Sequence, residues 1–196
     1  MNRYGILLLS VLMFLLSVIF NKKLNRASAV EREKRLAENY IHKQQNDFEK
    51  FLKDTAFVNA LLSNDETLKD VTRISKRAYS IFLYRNNRLG EEELTFWNGQ
   101  KTLPTAELKS THDGDYFIRM DNGWYLATKK TLQPQNPDNG VMAFAMIPVQ
   151  TDYFIETNYL PTHFVFSHSA DKTTTLSATP TAYPVRTLSG TPVFWL

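Results

Sequence analysis

The sequence predicts an α+β protein: an N-terminal transmembrane helix continuing into a long stalk helix, then an antiparallel sheet of about five strands. Three observations predict it. The run from Ile6 to Phe20 carries no charge and no helix breaker. From Leu24 to about Leu62 the chain is charged, free of Gly and Pro, and apolar at helical spacing. Beyond Tyr79 the pattern changes to short extended runs separated by turn residues.

In the first segment the only polar side-chain atoms between Ile6 and Phe20 are the hydroxyls of Ser10 and Ser17. Counted from Tyr4 the segment is seventeen residues long, about 25 Å as a helix, near the lower limit for a bilayer core. Ala27-Ser28-Ala29 has the form of a signal peptidase site, but Lys22, Lys23 and Arg26 lie between it and the apolar run, so an uncleaved anchor spanning residues 1–23 is expected. The same basic residues outnumber Arg3 before the segment. Charge alone therefore favours a cytoplasmic side for the rest of the chain.

In the stalk, 24–62, Val30, Ala37, Ile41, Gln44, Phe48, Phe51, Leu52 and Thr55 recur at spacings of three, four and seven, while Glu31, Glu33, Lys34, Glu38, Lys43 and Lys50 fall mostly off that stripe. Gln and Ala weaken it as a coiled coil, but it is wide enough to pack on a domain at one end and on a sister helix at the other. Ser63-Asn64-Asp65-Glu66 has the form of a capping box, predicting a second helix from about Asp65 to Lys76.

A sensor-type domain over 63–164 follows. Tyr79 to Tyr84 and Leu94 to Trp97 are paired strands with a turn near Asn86-Asn87, ended by Asn98-Gly99. A short helix near Ala106 to Lys109 precedes strands Asp115 to Met120 and Trp124 to Thr128, joined at Asp121-Asn122-Gly123, where the Asn-Gly hairpin signal asks for positive φ at both central positions. After a turn-rich loop from Pro134 to Gly140, Val141 to Val149 is apolar enough for a central strand buried on both faces. Asp152 to Leu160 can form a short helix stopped by Pro161. Residues 165–196 hold strands at Thr174 to Ala178 and Pro192 to Leu196; the closing Val-Phe-Trp-Leu has no partner after it, so the chain is expected to be the front part of something longer.

Composition bounds function. The chain has 196 residues, 43% of them hydrophobic and 13% aromatic, enough for a packed core. The net charge of +3, with its basic residues clustered after the apolar run, suits lipid headgroups better than nucleic acid, and no nucleic-acid partner is expected. With no cysteine there is neither a disulfide nor a thiolate metal site.

No catalytic residue and no metal site are predicted. Among the four histidines, His42 lacks the acid or amide neighbour and nearby proline of a phosphoacceptor, His163 and His168 would point to opposite faces of a strand, and His112 is solvated beside Asp113 and Asp115. Glu91-Glu92-Glu93 is a solvated turn, and neither a P-loop, a nucleophile elbow nor a dinucleotide fingerprint occurs among seven scattered glycines. Binding fits better. An apolar, aromatic pocket with a few polar groups would draw on Tyr84, Trp97, Tyr116, Arg119, Trp124, Tyr125 and Asp152, with Arg119 offered to a carboxylate and Asp152 to an amine.

Four segments together, YSIFLYRNNRL, ELTFWNG, GDYFIRMDNGWYLATKK and GVMAFAMIPVQTDYFIETNYLPTHF, placed after one apolar segment and a long helix, resemble the extracytoplasmic sensor region of membrane-bound sensor histidine kinases of the Bacteroidetes type. Phe96-Trp97, Asn122-Gly123-Trp124-Tyr125 and Asn158-Tyr159-Leu160 are the most specific pieces. The resemblance implies a PAS/Cache-like sheet, an inner-membrane location with residues after about 23 extracytoplasmic, against the charge count, and the input half of a two-component receptor. It further implies a homodimer through the stalk and a small-molecule or protein signal. ATP, Mg and a response regulator are expected only for a kinase module beyond this chain, which is not itself an enzyme. The alternative is a membrane-anchored binding or adaptor protein with no kinase attached.

Overall fold

The computed structural model describes residues 3–65, 67–86, 92–100, 102–132, 140–152 and 162–196. One helix dominates. α1 (Arg3–Lys53) has 51 residues, about 76 Å at roughly 1.5 Å per residue. The absence of Gly and Pro between Asn21 and Lys53 lets the apolar run and the charged segment join without a break.

The expected transmembrane anchor is overturned. Among the described residues no helix is long and apolar enough to cross a membrane. The apolar segment from Tyr4 to Phe20 supplies about 25 Å of helix against a hydrocarbon core of about 30 Å, and the charges of Arg3 and Lys22 stand at its two ends within the same helix. The inner-membrane location and the extracytoplasmic assignment of the rest fall with it. What stands is an α+β fold.

The stalk stripe becomes core. Val30, Ala37, Ile41, Gln44, Phe48 and Phe51 are all buried, joined by Glu33 and Gln45. α1 stops at Lys53 rather than near Leu62, because Asp54 takes a non-helical conformation and its Oδ1 accepts from the Phe57 amide at 3.3 Å, capping α2 (Thr55–Leu62). Phe57 then meets Phe51 edge to face, ring centroids 5.7 Å apart. The next cap lies four residues beyond its predicted place. Ser63 ends α2, Asn64 turns with φ +52, and Thr67 and Asp70 form the reciprocal capping box of α3 (Leu68–Ser75). Ser63 cannot cap a new helix while its amide still bonds back to Asn59 and Ala60.

The sheet is antiparallel, in the order β2-β1-β5-β4-β3: β1 (Ser80–Asn86), β2 (Glu92–Trp97), β3 (Gly114–Met120), β4 (Gly123–Leu132) and β5 (Val141–Thr151). β6 (His163–Phe164) extends it beside the end of β5. α4 (Ala106–Ser110) leads into β3 and α5 (Ala170–Thr173) follows β6. The predicted β5 is central and buried on both faces. Alternation sorts the sheet into two clusters. Ile81, Leu83, Leu126, Ala143, Ala145, Ile147 and Val149 face α1, while Phe82, Tyr84, Tyr125, Ala127, Phe144 and Met146 face the other way with Leu108 of α4. The expected helix over Asp152 to Leu160, the turn at Asn87 and most of the Pro134 to Gly140 loop lie outside the described residues.

The terminal Val-Phe-Trp-Leu has a partner after all, upstream of it. β8 (Pro192–Trp195) pairs with β7 (Pro184–Arg186), and Val185, Phe194 and Leu196 are buried in the same cluster as Phe48. Of the predicted strand Thr174 to Ala178, only Ser177 bridges, to Trp195.

Candidate functional site

Seven side chains are candidates for a binding site, and the sheet divides them. β3 and β4 pair so that Arg119 lies opposite Trp124, and Asp152 follows β5 at the same end, its amide donating to the Asn122 carbonyl at 3.1 Å. Arg119 Nη2 donates to Asp152 Oδ2 at 2.7 Å, and the guanidinium carbon lies 5.5 Å from the centre of the Trp124 ring. These three line a cleft of about 400 Å³ together with Gln150, Phe164, Asp171, Thr174 and Leu176. A smaller hollow of about 390 Å³ shares Arg119 and Asp152. Both volumes fall at the low end of small-molecule sites.

The other four do not converge there. Tyr84, Tyr116 and Tyr125 belong to the cluster on the opposite face. Tyr84 meets Phe144 edge to face at 5.8 Å, and its phenol is held above its ordinary range by burial and by the charge of Glu92. Tyr116 OH donates to the His112 carbonyl at 2.8 Å. Adjacent positions 124 and 125 must face opposite ways, so Trp124 and Tyr125 could not share a pocket. Trp97 ends β2 at the far edge of the sheet, half exposed.

A further concavity, of about 670 Å³, lies along a single face of α3 and its C-terminal cap, from Leu68 to Lys76. It is lined by one element only and Leu68 is 84% exposed, so it is open surface rather than a site.

Behind the cleft the aromatic rings form a column. Trp124 stacks on Phe117 with centroids 4.9 Å apart and planes 7° from parallel, and Phe117 stacks on Phe194 of β8 at 4.7 Å. The hairpin that carries Phe194 grips α1 through polar contacts. The Arg186 amide donates to Glu38 Oε1 at 3.1 Å, the Arg186 carbonyl lies 2.9 Å from His42 Nε2, and the Leu188 amide donates to Gln45 Oε1 at 3.0 Å. Gln45 Nε2 in turn donates to Asp115 Oδ1 at 2.9 Å, and the Thr128 hydroxyl donates to the same oxygen at 2.6 Å. His42, read on the stalk helix only as an unsuitable phosphoacceptor, is part of the joint between helix and hairpin.

No family model matches this chain, and neither the curated proteins nor the solved structures yield a match.

Sequence reasoning missed Asp171, Thr174 and Leu176 because the stretch after 165 read as the start of another segment, and it missed Gln150 and Phe164 because only the pairing of β4, β5 and β6 brings them beside Trp124. It also placed the two distal histidines on opposite faces. Their rings lie 5.6 Å apart, since β6 is only two residues long and the chain bends after Phe164 instead of continuing as a strand. His163 Nδ1 lies 2.8 Å from the Thr151 hydroxyl. Among the described residues there is no group of three or more His, Asp or Glu that could hold a metal. Among its described lining residues the cleft offers one cation, two carboxylates, an indole face and several hydroxyls. That inventory suits recognition of a small polar molecule.

Proposed function

We propose that this chain is a sensing module, the input part of a two-component sensor histidine kinase, which takes up its signal in the Arg119, Trp124 and Asp152 cleft and passes it to α1. The observation that carries the reading is the packed route between them. Trp124, Phe117 and Phe194 stack in series, and the Phe194 hairpin holds α1 through Glu38, His42 and Gln45. A ligand that draws Arg119 off Trp124 changes what the column packs against, and two arrangements of a packed column are the kind of bistable element through which such shifts travel.

The resemblance to sensor regions of histidine kinases supports the same reading, as does a helix that extends far beyond the sheet it packs on. The kinase chemistry, with ATP and Mg, and the response regulator belong in this proposal to a module outside these 196 residues. Pairing of two copies along α1 is part of it. The apolar stripe from Val30 to Phe51 is already covered by β5, the β7–β8 hairpin, α2 and α5, so a partner helix would meet the face that carries Arg32, Leu36, Asn39 and Lys43.

The coding sequence read in frame past Leu196, with an autophosphorylation assay on the full product, tests the kinase assignment. A histidine-bearing helix followed by an ATP-binding module, active in that assay, is expected; an immediate stop codon would leave a binding or adaptor protein instead. Because the chain has no cysteine, single cysteines at 32, 36, 39 and 43 test the pairing. Oxidative cross-linking at all four is expected, with little at control positions 31 and 34 on other faces of the helix; equal cross-linking at all six positions, or none at any, would refute the dimer.

A further inference from the structure

The charges of the cleft constrain what can enter it. Arg119 and Asp152 already neutralise each other at 2.7 Å, and Arg119 is the one cationic side chain among the described lining residues. The second carboxylate, Asp171, is committed elsewhere, its Oδ1 accepting from the Phe164 amide at 2.7 Å. A simple anion would have to part Arg119 from Asp152 and leave the carboxylate facing it unpaired. A simple cation would strand the guanidinium in the same way. A molecule that carries both charges meets neither cost, because its carboxylate can take the fork of Arg119 while its ammonium replaces Arg119 at Asp152, turning one ion pair into two. Beside those two groups lie Trp124, Phe164 and Leu176, an apolar wall for a side chain.

We propose that the cleft binds a zwitterionic α-amino acid with an apolar or aromatic side chain. The volume of about 400 Å³ accommodates a molecule of that size with room for bridging water. The proposal rests on the sensing reading above in using the same cleft, and it names the ligand class that the reading leaves open.

Isothermal titration of the full chain with each of the twenty common amino acids is the first measurement. For the tightest binder, its N-acetyl derivative and the amine left by removing its carboxylate are then titrated. At least one apolar or aromatic amino acid is expected to bind, with both blocked derivatives tenfold or more weaker. Arg119→Gln should abolish the preference over the decarboxylated amine, and Asp152→Asn the preference over the N-acetyl form. Arg119 is more than half exposed, so these variants should keep the wild-type circular dichroism; Arg119→Lys, which keeps the charge but not the fork, serves if Arg119→Gln does not fold. Absence of binding by all twenty, or blocked derivatives binding as tightly as their parent, would overturn the proposal.

A fluorophore on a cysteine at position 39 of α1 separates the two readings. Amino-acid binding that leaves the fluorophore unchanged refutes sensing and retains the ligand class. A response to other molecules, with none to amino acids, does the reverse.

Discussion

At the residue scale, Gly123 and Asp47 are held by different forces and fail in different ways. Gly123 opens β4 at φ +143, and a Cβ there would run into the Gln150 carbonyl oxygen, with the Thr151 Cα at 3.0 Å. Gly123→Ala should destabilise the fold by about 2 to 4 kcal/mol, measured as a lower urea midpoint at unchanged m-value. The Asn-Gly signal therefore marked the right place for a different reason. The two turn residues are Asp121 and Asn122, Asn122 does not take positive φ, and the glycine serves the close approach of β5. Asp47 is governed by charge. Burial pushes its carboxyl up, but hydrogen bonds from Arg77 Nε at 2.7 Å and Tyr79 OH at 2.8 Å, with the charges of Arg77 and Arg73, outweigh that and hold it below the ordinary range. A carboxyl whose folded value is depressed adds stability above its unfolded value, near 3.9, and loses it as pH falls through the folded value. Asp47→Asn should thus cost about 1 kcal/mol at pH 7, near the low end because the side chain is 45% exposed, and the variant should lose less stability than wild type below about pH 4. Some acid sensitivity should persist. Burial pushes Glu33 up as well, yet hydrogen bonds from Ser167, Ser169 and Arg32 outweigh it and leave that carboxyl depressed too.

At the scale of elements, the β7–β8 hairpin joins what the sequence reading kept apart. Phe194 is fully buried, stacked on Phe117 and placed in the cluster that holds Phe48. Truncating such a ring removes its transfer energy and leaves a cavity, so Phe194→Ala should destabilise by about 3 to 5 kcal/mol. A purely structural role ends there. The sensing proposal adds that the milder Phe194→Leu, still folded, should weaken the response of a fluorophore at position 39 while leaving ligand affinity within a factor of a few. Equal loss of both would place Phe194 in the binding wall and not in the route. The element scale also shows where patterns mislead. Val141 to Val149 was legible because an uninterrupted apolar run of that length has few alternatives to a central strand. The α1 boundary at Asp54 was not, since neither Gly nor Pro marks it and the decision lies in whether Phe57 packs back on Phe51. Ser63 and Thr67 both satisfy the capping pattern locally, and the end of α2 selects between them.

Across the whole molecule, alternation decides the composition of the site. Seven residues of the right chemistry were visible in the sequence, but a sheet has two faces, and register puts Arg119, Trp124 and Asp152 at one end while Tyr84, Tyr116 and Tyr125 belong to the second cluster. Which residues from 162 to 176 complete the cleft depends on contacts more than ten residues apart in sequence. Local pattern carries no such information. The same architecture sets a gradient of stability along α1. Ile41, Phe48 and Phe51 are at most 1% exposed, whereas Leu9, Val11 to Leu16 and Val18 are between 39% and 70% exposed. A helix held only by its own i to i−4 bonds is marginal in water, while one buried against a sheet opens only with the domain. Native-state hydrogen exchange should therefore find the amides from Ile41 to Phe51 as slow as those from Ala143 to Ile147, both reporting global unfolding. Amides from Leu9 to Val18 should exchange faster by three or more orders of magnitude, since about 4 kcal/mol of lost protection already gives a factor near a thousand. If the first segment exchanges as slowly as the second, something covers it in solution. A second copy of the chain is then the first candidate, and a loss of that protection on dilution would identify it.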